Sequence, residues 1–114
     1  MSEHHRSGQL RKTFAIDALD APAPTRLGQR KESWSQLRTQ RGSIRLLNGR
    51  EQANADRLKV MATHRVVMRY AIPLGPTTHR LRLDGRILAI AVVSDVEERH
   101  RWYELDVVEV KNPA

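Results

Sequence analysis

The sequence has no cysteine among its 114 residues. That excludes a disulfide framework, a thiol nucleophile, an iron–sulfur cluster and a thiolate zinc site. Aromatic residues are scarce, at two Trp, two Tyr and one Phe. No apolar run approaches the roughly 20 residues needed to span a bilayer. The polar start, MSEHHRSGQ, lacks the apolar core of a secretion signal. The expectation is a soluble protein made in the cytoplasm, with no membrane association. Acidic residues are also the minority, at 13 against 20 Lys and Arg, for a net charge of +7.

That charge is uneven. Residues 1–50 hold ten basic and four acidic side chains, whereas residues 51–114 hold ten and nine. A cationic first half favours polyanions, either DNA or an acidic protein face. At this length the chain is one domain with one compact core. Residues 1–9 are expected to be a flexible N-terminal arm, and 10–114 a single domain.

Hydrophobic alternation supplies the elements. Phe14, Ile16 and Ala18 against Thr13, Ala15 and Asp17 predict a half-buried strand from Leu10 to Ala18. Asp20 to Lys31, with its APAP run and Gly28, reads as a long loop of the kind often used for interaction. Trp34 to Leu47 reads as a strand in which Gly42 marks a bulge or a sharp bend. Asn48-Gly-Arg-Glu51 has the form of a capping box, opening a helix of about three turns whose few large apolar residues predict a light hold on the core. His64 to Tyr70 alternates again, ended by Pro73, Gly75 and Pro76.

Asp84-Gly85 between Arg80–Leu83 and Arg86–Val93 is a strong hairpin signal, because a type I′ turn needs positive φ at both central residues. The second arm is apolar on both faces, so it is either central in a closed barrel or covered by another subunit. Ser94 to Arg101 is a charged connection. In Trp102–Val110, Tyr103, Leu105 and Val107 share a face, and Val108 and Val110 shift to the other, which suggests a bulge or a second contact surface. The fold expected is mainly β: a small antiparallel β-barrel of five to six strands with one short helix and long loops.

Catalysis finds little support. His4, His5, His64, His79 and His100 are scattered, and none has the helical i, i+4 partner of a zinc pair. No phosphate loop, dinucleotide fingerprint or serine-nucleophile motif occurs. Asp95, Glu97, Glu98 and His100 read as a solvated charged turn. No enzyme activity, cofactor or metal is expected. Phe14, Tyr70 and Tyr103 belong to core faces, leaving Trp34 and Trp102 as too small a base-stacking platform. Sequence-blind attraction to phosphate stays open.

Three stretches, WSQLRTQRGSIRLLNGRE, THRVVMRY and LRLDGRILAIAVVSDVEERHRWYELDVVEV, together resemble the head–tail joining proteins of tailed bacteriophages, also called head-closure or stopper proteins. The resemblance runs from about Leu10 to Val110. It is carried by Leu47-Asn48-Gly49-Arg50-Glu51, by Thr63-His64-Arg65 opening a strand that ends Arg69-Tyr70, and by Gly85-Arg86 before an apolar strand and Asp95. Such proteins often carry an aromatic and a small apolar residue near Arg41 and Gln40, where this chain is polar.

The resemblance implies a structural virion protein made in the host cytoplasm. It would form a homo-oligomeric ring of six or twelve copies beneath the portal and adaptor ring proteins, close the channel over packaged double-stranded DNA, and offer a docking face to the tail-terminus protein. On that reading Asn48, Arg50, Glu51, Gln52, Asn54 and Arg57 are candidate channel-lining residues, and Arg26, Arg30 and Lys31 candidates for adaptor or tail docking. Leu88, Ile90, Val92, Val108 and Val110 are candidates for the subunit interface, or else merely complete one barrel. The alternative is a free-standing, sequence-nonspecific nucleic-acid-binding β-barrel, whose DNA affinity would fall steeply with salt.

Overall fold

The computed structural model describes residues 10–20, 33–96, 99 and 101–110. Six antiparallel strands and one helix follow in the order β1 (Lys12–Leu19), β2 (Trp34–Leu46), α1 (Gly49–Arg57), β3 (His64–Arg69), β4 (His79–Leu83), β5 (Arg86–Asp95) and β6 (Trp102–Val110). The strands close into a barrel in the spatial order β1-β2-β3-β6-β5-β4. This is the mainly-β barrel with one short helix that the alternation predicted, with six strands. The expected arm, residues 1–9, and nearly all of the Asp20–Lys31 loop lie outside the described residues.

The core is built by the in-facing side chains of β1, β3, β4, β5 and β6, with the half-buried Ile44 of β2 packed against it. Phe14, Ile16, Val66, Met68, Leu81, Leu83, Leu88, Ile90, Tyr103, Leu105 and Val107 form one buried cluster. Ile72 and Leu74, between β3 and β4, pack onto it together with Tyr70 and Val93. Burying a large apolar side chain contributes about 1.5–3 kcal/mol, so this cluster, with no disulfide present, is the main source of stability. Asp84 and Gly85 have φ of 47° and 81°, the positive values that the β4–β5 hairpin turn requires, and Leu83 pairs with Arg86 across it.

Two local expectations are corrected. Gly42 marks no bulge: it pairs in register with Lys12 on β1 and Met68 on β3. A Cβ there would lie 2.8 Å from the Val67 carbonyl oxygen and 2.9 Å from the Phe14 ring. The glycine exists so that a core ring can lie against the backbone. The bulge in β2 falls instead near Leu37, where Ile16 pairs with Arg38 and Asp17 with Gln36. Likewise, β6 carries no extra residue. The irregularity is in β5 between Ile90 and Val92, and Val108 and Val110 take the out-facing places of ordinary alternation.

Candidate functional site

The helix segment is built on its first turn. The Asn48 side chain accepts from the Glu51 N–H at 2.9 Å, and Glu51 accepts from the Asn48 N–H at 2.9 Å, completing the predicted capping box. Ala55 is the helix's one buried residue, so packing holds it lightly, as its composition implied. The remaining hold is ionic. Glu51 takes hydrogen bonds from Arg45 Nη1 and Nη2 and from Arg65 Nη1, each at 2.6 Å. Arg65 reaches on through Nε to Asp106 at 2.8 Å. Hydrogen bonds from Arg45, then the Asn48 N–H and the charge of Arg65, outweigh burial and bring the Glu51 carboxyl down to about 2.

Along the helix, Arg50, Ala53, Asn54 and Arg57 join Glu51 and Arg65 around an open groove of about 670 Å³. Arg57 donates to Asn54 Oδ1 at 2.9 Å, and Gln52 to Asp56 at 3.2 Å. Of the six residues expected to line a channel, the structure therefore gathers Arg50, Glu51, Asn54 and Arg57 at one groove. Asn48 is taken up by capping and Gln52 by its contact with Asp56. Glu51 is engaged by two guanidinium groups, so it does not oppose the cationic groove as a lone charge. Around this end of the barrel Leu46, Leu58 and Met61 are 69%, 63% and 77% exposed.

The expected subunit interface divides. Leu88 and Ile90 are 0% and 4% exposed inside this barrel's own core, so they cannot meet a neighbour; the in-facing side of β5 is where they point. Val92, Val108 and Val110 stay on the outer wall, with Val110 42% exposed. The three docking candidates, Arg26, Arg30 and Lys31, lie outside the described residues. Both tryptophans are covered by arginine. Arg80 lies 4.6 Å from the Trp34 ring centroid, and Arg69 lies 5.2 Å from that of Trp102. A ring face occupied by a guanidinium is poorly placed to stack a base. Among the described residues no cluster of His, Asp or Glu could hold a metal ion, and no helix is long and apolar enough to cross a membrane.

One charged centre escaped the sequence reading. Asp17 is only 2% exposed on the outer wall. It accepts from Arg80 Nε at 2.9 Å, from Arg82 Nε at 2.7 Å and from Arg82 Nη2 at 3.0 Å. Burial pushes its carboxyl up, but the bonds and charges of Arg82 and Arg80 outweigh burial and hold it below the usual range. The signal was present as Arg-x-Arg on β4, but it becomes readable only once β1 is known to pair with β4.

The sequence that folds into this six-stranded barrel, with its lightly tethered helix at one end, matches a known family over most of its length. The family described as phage head completion protein covers residues 6–110. The chain belongs to that family. Two solved structures share the fold. Protein SF1141 from Shigella flexneri 2a is 23% identical, with a TM-score of 0.67 over 90% of this chain and 96% of that one. A chain of the virion of a native gene transfer agent particle is 16% identical, with a TM-score of 0.56 over 89% and 96%. No curated protein matches the sequence. A head completion protein is a structural component of the virion, which places this chain among particle proteins.

Proposed function

We propose that this head completion protein assembles as a homo-oligomeric ring beneath the portal and adaptor, closes the DNA channel of the filled head and offers the tail-terminus protein its docking surface. The observation that carries this reading is the α1 segment. It is held to the barrel by an ion-pair network rather than by a packed face, and it presents Arg50 and Arg57 in one groove. Movable elements come from the low-stability end of a fold, and guanidinium groups facing a lumen attract phosphate without reading bases. Leu46, Leu58 and Met61 beside it leave more apolar surface exposed than a lone subunit gains from. In a ring these side chains meet a neighbour or the next layer.

A closed ring needs a heterologous interface, in which two different faces of each subunit meet. Val92, Val108 and Val110 on the β5–β6 wall supply one such face. The Arg26, Arg30 and Lys31 segment supplies a cationic dock for an acidic face of the adaptor or tail.

Quantitative mass spectrometry of purified tailed particles tests the reading. Six or twelve copies per particle is the expected result, and absence from particles with retention in the cytosol overturns it. Reversing the charges of Arg26, Arg30 and Lys31 together should block assembly of infectious particles. Unimpaired assembly would remove the docking role from those three.

A further inference from the structure

Strand β2 is longer than the barrel needs. It pairs with β1 over Trp34–Gly42, but with β3 only over Gly42–Leu46. Among the described residues, the β3-side edge of residues 34–41 has no strand partner. An antiparallel edge presents alternating N–H and C=O groups that are worth pairing. Residues 35–39 and Arg41 are exposed along it, with Leu37 51% exposed at the bulge. Beside this edge is a cleft of about 420 Å³, lined by Leu10, Arg38, Thr39, Gln40, Arg41 and Arg69. Three of its six lining residues are arginines, and none is acidic.

We propose that this edge receives an extended acidic strand from a partner protein, which adds to β2 and sets its carboxylates against Arg38, Arg41 and Arg69. The inference rests on the geometry of β2 and stands apart from the ring reading.

Three considerations select this occupant. A second copy pairing edge to edge would bring Arg38 and Arg41 against the same arginines, and like charges directly opposite destabilise a strand pair. Residues 1–9 of this chain carry Glu3 against Arg6 and so offer no net acid. A DNA phosphate can accept from the edge's N–H groups, but its charge is repelled by the intervening carbonyls. An acidic strand pairs with both kinds of backbone group and uses the guanidinium groups as well.

The test is NMR titration of the full chain with a short synthetic peptide of Glu-Glu-Val-Val repeats, which carries carboxylates on both of its faces, as Arg38 and Arg41 on opposite faces of β2 require. The comparison probes are the same peptide N-methylated at alternate residues and a mixed-sequence DNA duplex. Expected are amide shifts centred on Ser35–Arg41, loss of binding on N-methylation, and binding weakened by about tenfold or more in Arg38→Glu/Arg41→Glu. Both substituted side chains are exposed, so the barrel should survive, and an unchanged core amide spectrum checks that. The proposal is overturned by any of three results: equal binding of the N-methylated peptide, no binding at millimolar peptide, or tighter binding of the duplex at this edge. Each of these leaves the ring stoichiometry in particles, and so the ring reading, untouched.

Discussion

Two carboxylates in this molecule each hold a pair of arginines, and the pairs do different work. Asp17 sits mid-strand on β1, 2% exposed, with Arg80 and Arg82 delivered from β4 by strand register. Glu51 sits in the first turn of α1, its side chain 15% exposed, between Arg45 of β2 and Arg65 of β3. The Asp17 centre joins two strands that backbone pairing already holds, so it is rigid and desolvated. The Glu51 centre joins a helix to a wall it barely packs against, so the ion pair itself supplies much of the tether. The same chemistry is a seam of the barrel in one place and a latch on the helix in the other.

Removing the seam should have the largest effect. Asp17→Ala leaves two guanidinium groups facing each other across a site shaped for a carboxylate, and breaking a buried pair from one side costs about 3 kcal/mol. Urea unfolding should show that loss as a lower midpoint with cooperativity kept. An unchanged midpoint would mean that the β1–β4 seam is held by backbone pairing alone. Next comes a change in the same barrel that involves no charge. Gly42→Ala drives a methyl group into the Val67 carbonyl and the Phe14 ring, and overpacking of that kind costs about 2 kcal/mol. A thermal melt checks it. If Gly42 were only a bend, the substitution would be neutral.

These two sites also show what was legible in the sequence. Alternation sufficed for the strands, the Asp84-Gly85 dipeptide for the hairpin, and Asn48 with Glu51 for the cap, because each is local. The bulge expected at Gly42 is absent: a glycine in a strand pattern looks the same whether it inserts a bulge or admits a distant ring, and Phe14 belongs to another strand. The outward place of Asp17 was legible, but its burial was not, since Arg80 and Arg82 reach it only through β1–β4 pairing. Leu88 and Ile90 stood open between a subunit contact and the barrel's own core, because an apolar run does not reveal which of its faces closes the barrel; the structure puts them in the core. Arg45 and Arg65, each one place in a strand pattern, are singled out only by the fold, which brings both to Glu51.

Breaking the latch should cost less in global stability and more in local order. Glu51→Gln keeps the Asn48 cap geometry but removes the carboxylate charge that faces both arginines, worth about 1 kcal/mol at this partly buried site. Amide exchange over residues 49–57 should accelerate well before the barrel amides do. Acid should imitate the substitution. The Glu51 pKa falls from 4.5 to about 2 on folding, so its contribution is fully present above about 4.5 and is lost as pH falls through about 2. Wild-type helix protection should therefore decline across that window, while the Glu51→Gln protein, lacking the titrating group, should show no such step from this site.

The smallest effect on stability is the one that best separates tether from function. Among the described residues Arg57 donates one exposed side-chain hydrogen bond, to Asn54, so Arg57→Ala should shift the unfolding free energy by less than about 0.5 kcal/mol. The groove, however, would lose one of its two outward cations, which act on phosphate through charge rather than through any fold contact. If α1 faces packaged DNA, particles carrying Arg57→Ala together with Arg50→Ala should assemble with normal amounts of this protein yet retain DNA less well at low salt. At high salt, where screening already weakens such contacts, the gap from wild type should narrow. DNA retention equal to wild type at every salt concentration would leave α1 as a latch with nothing behind it, and the channel-facing assignment would have to move to another surface of the barrel.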